Sequence, residues 1–115
     1  MKIFMTGSSG FIGSHMKAYF NNHEIMEFDN KTNLFNDITI QDAVTTAIVD
    51  FQPDVIIHLA ANANPGLSTK FPREDLMFNT LGTINLLEAC RKVPGLKAFL
   101  FSSAAQAYGE PHTIQ

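Results

Sequence analysis

Residues 6–13, TGSSGFIG, confine the chain more than any other stretch. Three glycines spaced three apart separate the apolar run Lys2–Thr6 from residues 11–21, which place Ile12, Met16 and Phe20 on one helical face. A strand that ends in such a turn and passes at once into a helix has few ways to fold. Gly7 suits a tight turn, Gly10 lets the backbone approach a phosphate, and Gly13 lets the helix pack closely on the strand. The helix N-terminus adds free N–H groups and the positive end of a dipole, a ready site for an anion.

The rest of the chain alternates in the same way. Residues 24–29 (EIMEFD) predict a second strand, and residues 40–51 predict a helix carrying Ile40, Val44, Ile48 and Phe51, stopped by Pro53. Residues 54–60 (DVIIHLA) are a near-continuous apolar run, as in a parallel strand covered on both faces. Pro72 opens a long helix over 72–93, with Leu76, Thr80, Thr83, Leu87 and Cys90 on one side, ended by Pro94-Gly95. Residues 97–102 (KAFLFS) predict a fourth strand. Strand and helix in strict alternation imply an α/β fold, a parallel sheet wound by right-handed crossovers. At 115 residues and 45% hydrophobic, the chain makes one small domain, residues 1–115, with a real core.

Composition removes several function classes. Eight Lys and Arg against 11 Asp and Glu give a net charge of -3, so nucleic acid is not an expected partner. Cys90 is the only cysteine, and His15, His23 and His112 have no metal-ligand spacing, so neither a disulfide nor a metal site is expected. There is no signal-peptide core and no run near the ~20 apolar residues of a membrane span, which leads us to expect a cytoplasmic protein with no membrane partner.

Asp29 lies at about the ~20-residue distance beyond the glycines at which a strand-end acid can bind ribose hydroxyls. With strand, turn, helix and acid in order, the residues favour dinucleotide binding. A nucleoside-triphosphate loop is excluded, since it needs Gly-Lys-Ser/Thr. A methyl-donor pocket uses the same turn and acid and stays open on these features alone.

Taken together, these motifs resemble the extended short-chain dehydrogenases, the NAD-dependent epimerases and dehydratases of nucleotide sugars. TGSSGFIG is similar to that family's glycine turn, with Gly7, Gly10, Phe11, Ile12 and Gly13 against the cofactor. FDN, with Asp29 and Asn30, is similar to its strand-end acid, and NDI, with Asp37 and Ile38, to the pair that borders adenine. HLAA, with Leu59, Ala60 and Ala61, resembles the strand that backs the cofactor. NTLGTINLLEA resembles the helix whose first Asn, Asn79, lies near it, and FSSAAQAYG the end of the fourth strand, with Ser102, and its Tyr-Gly turn.

The resemblance implies a Rossmann-type doubly wound sheet, truncated to about four strands in the order 3-2-1-4, and NAD as cofactor. It also implies hydride transfer at the sugar, with a Tyr and a Lys four residues later doing the acid–base chemistry. That pair is absent: Tyr19 and Tyr108 are followed four positions later by His23 and His112, and the family's Ser or Thr before the Tyr-Gly turn falls on Ala104. No catalytic residue is therefore assigned. The expected role is the NAD-binding part of such an enzyme, with catalytic and sugar-binding parts elsewhere and the nucleotide sugar bound only when they are present. The alternative is a non-catalytic dinucleotide module, a sensor or assembly partner. An apolar fourth strand left at the sheet's edge leads us to expect self-association or a complementing chain.

Overall fold

A computed structural model describes residues 1–109 of the chain; His112 lies outside them. Four strands, β1 (Lys2–Thr6), β2 (Glu24–Phe28), β3 (Val55–His58) and β4 (Ala98–Phe101), form one parallel sheet. Helix α1 (Phe11–Tyr19) joins β1 to β2, and α2 (Gln41–Phe51) joins β2 to β3. Between β3 and β4 run α3 (Pro65–Lys70), α4 (Pro72–Asp75), a π-helical turn (Leu76–Leu81) and α5 (Gly82–Cys90). A 3-10 turn over Ala105–Tyr108 follows β4. No described helix is long and apolar enough to cross a membrane.

The α/β class is as expected, but the strand order is β2-β1-β3-β4 and not 3-2-1-4. A strand outside β2 would need a crossover of about a dozen residues or more to reach it, followed by the strand itself. The stretch from Asp29 to Ile40 instead folds into successive turns and delivers the chain directly to α2. The next strand then pairs with the free side of β1.

The central strand β1 is buried from Ile3 to Thr6, as its uninterrupted apolar run requires. On one face Phe4, Phe28 and Ile56 pack with Val44 and Ile48 of α2 and Leu86 and Ala89 of α5. On the other, Ile3, Met5 and Ile57 receive Met16 of α1 and Phe20 directly after it. Ile12, expected on that same face of α1, is instead 55% exposed. Among the described residues no strand pairs with the outer edge of β4, and Leu100 and Phe101 are exposed.

The predicted 72–93 helix is broken in phase by the π turn. An extra residue per turn rotates everything after it, so the buried residues of α5 are Gly82, Asn85, Leu86 and Ala89, while Leu76 and Leu87 are exposed. Asn85 is buried because its Nδ2 donates to the Ile38 carbonyl at 2.8 Å, tying α5 to the turns before α2. Gly82 leaves room for the Ile38 side chain, 2.6 Å from where a Cβ would stand.

Gly13 packs against the glycine turn itself and not on a strand: a Cβ there would lie 2.3 Å from the Gly7 carbonyl oxygen and 2.7 Å from Ser8 Cα. Backbone cannot retreat as a side chain can. Gly13→Ala should therefore destabilise the fold by about 2 kcal/mol or more in urea unfolding, whereas Gly10→Ala should cost far less. Equal costs would contradict the packing described.

Candidate dinucleotide-binding site

The register of the sheet assembles the site. Thr6 is level with Phe28 on one side and His58 on the other, and His58 is level with Phe101. The residues that leave these strand ends, Gly7, Asp29, Leu59 and Ser102, consequently emerge together. They line one cleft of about 440 Å3. Parallel α/β sheets bind ligands at this carboxyl end, where crossovers diverge, as the one from β1 through α1 to β2 does here from the one that leaves β3 for β4.

At one end of the cleft lies the turn into α1. Gly7 has φ +68°, and a Cβ on it would stand 2.7 Å from the Ala60 nitrogen, so only glycine lets the turn pass the end of β3. Gly10 caps α1 with extended backbone and no side-chain hydrogen bond, and the first turn carries no acidic residue. The first N–H groups of a helix have no partner within it, which leaves these donors, at Phe11, Ile12 and Gly13, facing the cleft those residues line. Beyond the Gly7 oxygen at 3.3 Å, a Cβ on Gly10 would meet nothing within 4 Å. That space, with N–H groups around it and the dipole behind it, fits a phosphate.

Asp29, only 7% exposed, stands beside that turn. Its Oδ2 accepts from the Ser9 N–H at 2.9 Å and the Ser9 hydroxyl at 2.7 Å, and its Oδ1 from the Lys31 N–H at 2.8 Å. Burial alone would raise this carboxyl. The bonds from Ser9 and Lys31, with the Lys31 charge, outweigh it and hold Asp29 below the usual carboxylate range. A carboxylate has about four acceptor positions, so one is left for a ligand hydroxyl.

Asn30, Ile38, Ala60 and Ala61 also line the cleft. Two expected residues do not. Asp37 turns its Oδ1 to the Thr39 N–H and hydroxyl, at 2.8 and 2.7 Å, closing a turn ahead of α2. Asn79 stands behind the wall: its Oδ1 accepts from the Asn62 N–H at 2.7 Å and its Nδ2 donates to Asp75 Oδ1 at 2.9 Å. Ser9, Lys31, Asn36, Ala63, Phe28 and Phe78 line the cleft without having been read from the sequence. Lys31 binds Asp29 through its backbone N–H, and Ser9 through its N–H and its hydroxyl, contacts that no local pattern of side chains signals; Phe78 is placed by the π turn.

Beneath the cleft His58 is buried, 2% exposed, between two threonines. Thr83 Oγ1 donates its one proton to the Asn79 carbonyl at 2.6 Å, so it accepts from His58 Nε2 at 2.9 Å. His58 Nδ1 then carries no proton and accepts from the Thr6 hydroxyl at 2.6 Å. The Thr6 oxygen in turn accepts from the N–H groups of Leu59 and Ala60, at 3.1 and 3.0 Å. A second proton on His58 would point at an oxygen already taken. Burial accordingly holds His58 neutral, lowering its pKa from 6.5 to about 4.

The sign of the consequence follows. Below pH 6.5 the unfolded chain protonates His58 while the folded chain refuses the proton until about pH 4, so stability falls as pH drops through that window. The loss should reach about 3 kcal/mol, measured by urea unfolding between pH 7 and 4. His58→Asn, less stable at pH 7, should lose most of this slope. An unchanged slope would remove His58 as its source.

A putative UDP-glucose 4-epimerase of Methanocaldococcus jannaschii is 37% identical over 97% of this chain, which spans 41% of that relative's length. The UDP-glucose 4-epimerase of Thermotoga maritima, solved with UDP-glucose, superposes with a TM-score of 0.85 at 32% identity, over 99% of this chain and 41% of that one. The Thermus thermophilus UDP-glucose 4-epimerase, solved in complex with NAD, gives 0.71 at 33% identity, over 81% and 34%. The model of the NAD dependent epimerase/dehydratase family matches residues 3–115, and the chain belongs to that family.

Proposed function

We propose that the cleft binds NAD and that the chain is the cofactor-binding portion of an NAD-dependent nucleotide-sugar epimerase or dehydratase. The observation that carries this reading is the pairing in one cleft of an uncapped helix N-terminus beside an open glycine with a buried, ionised acid. In the reading, the N–H groups of the turn and of Phe11 to Gly13 hold the pyrophosphate, and Asp29 accepts from a ribose hydroxyl. Asn30 and Ile38 flank the adenosine end. Leu59, Ala60, Ala61 and Ser102 form the wall beside the nicotinamide end. When bound, the nicotinamide supplies the hydride acceptor and donor. This chain's residues orient it and shield it from water; no residue here is assigned the proton.

The proton chemistry is proposed to come from a Tyr and Lys outside this chain, together with the residues that grip a nucleotide sugar. Further strands, from a longer chain or a complementing one, are proposed to cover the outer edge of β4. Ala104 and the fully solvated Tyr108, 92% exposed, favour a second reading, a dinucleotide module without chemistry of its own. A Tyr-x-x-x-Lys in a companion segment that restores turnover to this chain would decide for the first.

Gly10→Val is expected to fold, as its backbone angles, φ −74° and ψ 177°, suit any residue, yet to weaken NAD binding by at least about tenfold, because the side chain fills the phosphate space. Normal binding by the folded variant would refute the cradle. A calorimetric comparison should also show NAD bound more tightly than NADP, on the order of tenfold or more, since a 2′-phosphate would face the Asp29 carboxylate. Lys31 lies close enough to soften the preference; equal affinities would contradict the role given to Asp29.

A further inference from the structure

The wall of the cleft from Leu59 to Asn62 is held at both ends, and the two holds are joined. At one end the N–H groups of Leu59 and Ala60 donate to Thr6 Oγ1. At the other the Asn62 N–H donates to Asn79 Oδ1, and Asn79 Nδ2 returns a bond to the Asn62 carbonyl at 3.3 Å. Thr6 Oγ1 reaches His58 Nδ1, His58 Nε2 reaches Thr83 Oγ1, and Thr83 Oγ1 reaches the Asn79 backbone. The path closes into a ring that runs from β1 through β3 to the π turn and back along the wall. Within it the imidazole is the link between the Thr6 hydroxyl on β1 and the Thr83 hydroxyl on α5.

We propose that His58 is a positioning residue for dinucleotide binding: as the Nε2–H tautomer it locks the Thr6 and Asn79 holds together, and thereby sets the Leu59–Ala60–Ala61 backbone against the ligand. The inference rests on the reading of the cleft as a dinucleotide site. The π turn carries Asn79, and Thr83, four residues on in α5, bonds back to the Asn79 carbonyl while presenting its oxygen to His58. The groups facing His58 from each neighbouring element are Thr6 on β1, Thr83 on α5, and the rings of Phe99 and Phe101 on β4, with centroids at 6.2 and 5.8 Å. Among the described residues none of these partners is charged. The ring's protonation is thus set by the two hydroxyls and by burial, not by an ion pair.

Thr83 tests the proposal without touching the cleft, which it does not line. Thr83→Val keeps the shape and removes the hydroxyl; Thr83→Ser restores it. Nitrogen NMR of the imidazole in the unliganded chain should show Nε2 protonated and Nδ1 bare, and Thr83→Val should mix the two tautomers. In the same variant, hydrogen exchange at Ala60 should speed up at least about tenfold while Phe4 and Ile56 change little, and NAD affinity at pH 7.5 should fall by about tenfold. Thr83→Ser should recover all three. Exchange at Ala60 unchanged, or raised equally at Phe4 and Ile56, would overturn the proposal, as would a tautomer indifferent to Thr83. Failure of the unmodified chain to bind NAD would instead defeat the functional reading, while the ligand-free tautomer and exchange measurements would still judge the ring.

Discussion

The carboxyl end of this sheet depends on a glycine with no room for a side chain. Gly7 takes the chain out of β1 at φ +68°, with the Leu59–Ala60 backbone so near that a Cβ would overlap it. From that contact the rest follows. The turn is forced back on itself until Gly13 sits on the Gly7 carbonyl, and α1 therefore starts within the cleft and points its free N–H groups there. Ser9, at the outer side of the turn, is brought to Asp29 on the neighbouring strand end. The glycine turn and the acid are thus joined by direct hydrogen bonds.

Burial gives the two titratable groups of this region opposite environments. Asp29 is surrounded by donors and stays charged; His58 is enclosed by hydroxyls already committed to other partners and stays neutral. Each state costs little because the hydrogen bonds around it suit it, three donors to the Asp29 carboxylate and a matched acceptor and donor for the neutral His58 ring. The result is a rigid floor and one ionised rim. A flexible ligand carrying phosphates and ribose hydroxyls would find its contacts already in place, which lowers the ordering cost of binding.

Much of this was legible in the sequence, and the rest was not for definite reasons. The strands, α1 and α2 are carried by apolar runs and period, which are local properties, and so were read within a residue or two at most ends. Glycine spacing and Asp29 located the cleft, since a turn and an acid at a strand end are set by backbone geometry. Strand order is different. Nothing in the period of residues 40–51 says on which side of β1 the following strand will pair; that depends on the turns over 29–40, which have no periodicity. The face of α5 was misread because a π turn is invisible to a rule that assumes 3.6 residues per turn. α3 left a signal that went unread, Asn64 capping and Pro65 at the first helical position. Asp37 and Asn79 were placed at the ligand by resemblance, yet here their amide and carboxyl oxygens serve neighbouring backbone.

In the proposed function, one cleft bounded by the glycine turn and Asp29 takes the dinucleotide. Titrating NAD into the nitrogen-15-labelled chain and following each backbone amide tests it most directly. Saturable shifts should concentrate at Gly7 to Gly13, Asp29 to Lys31 and Leu59 to Ala61, all with one dissociation constant. Saturable shifts centred on Leu67 and Phe71, with the glycine turn unmoved, would contradict it.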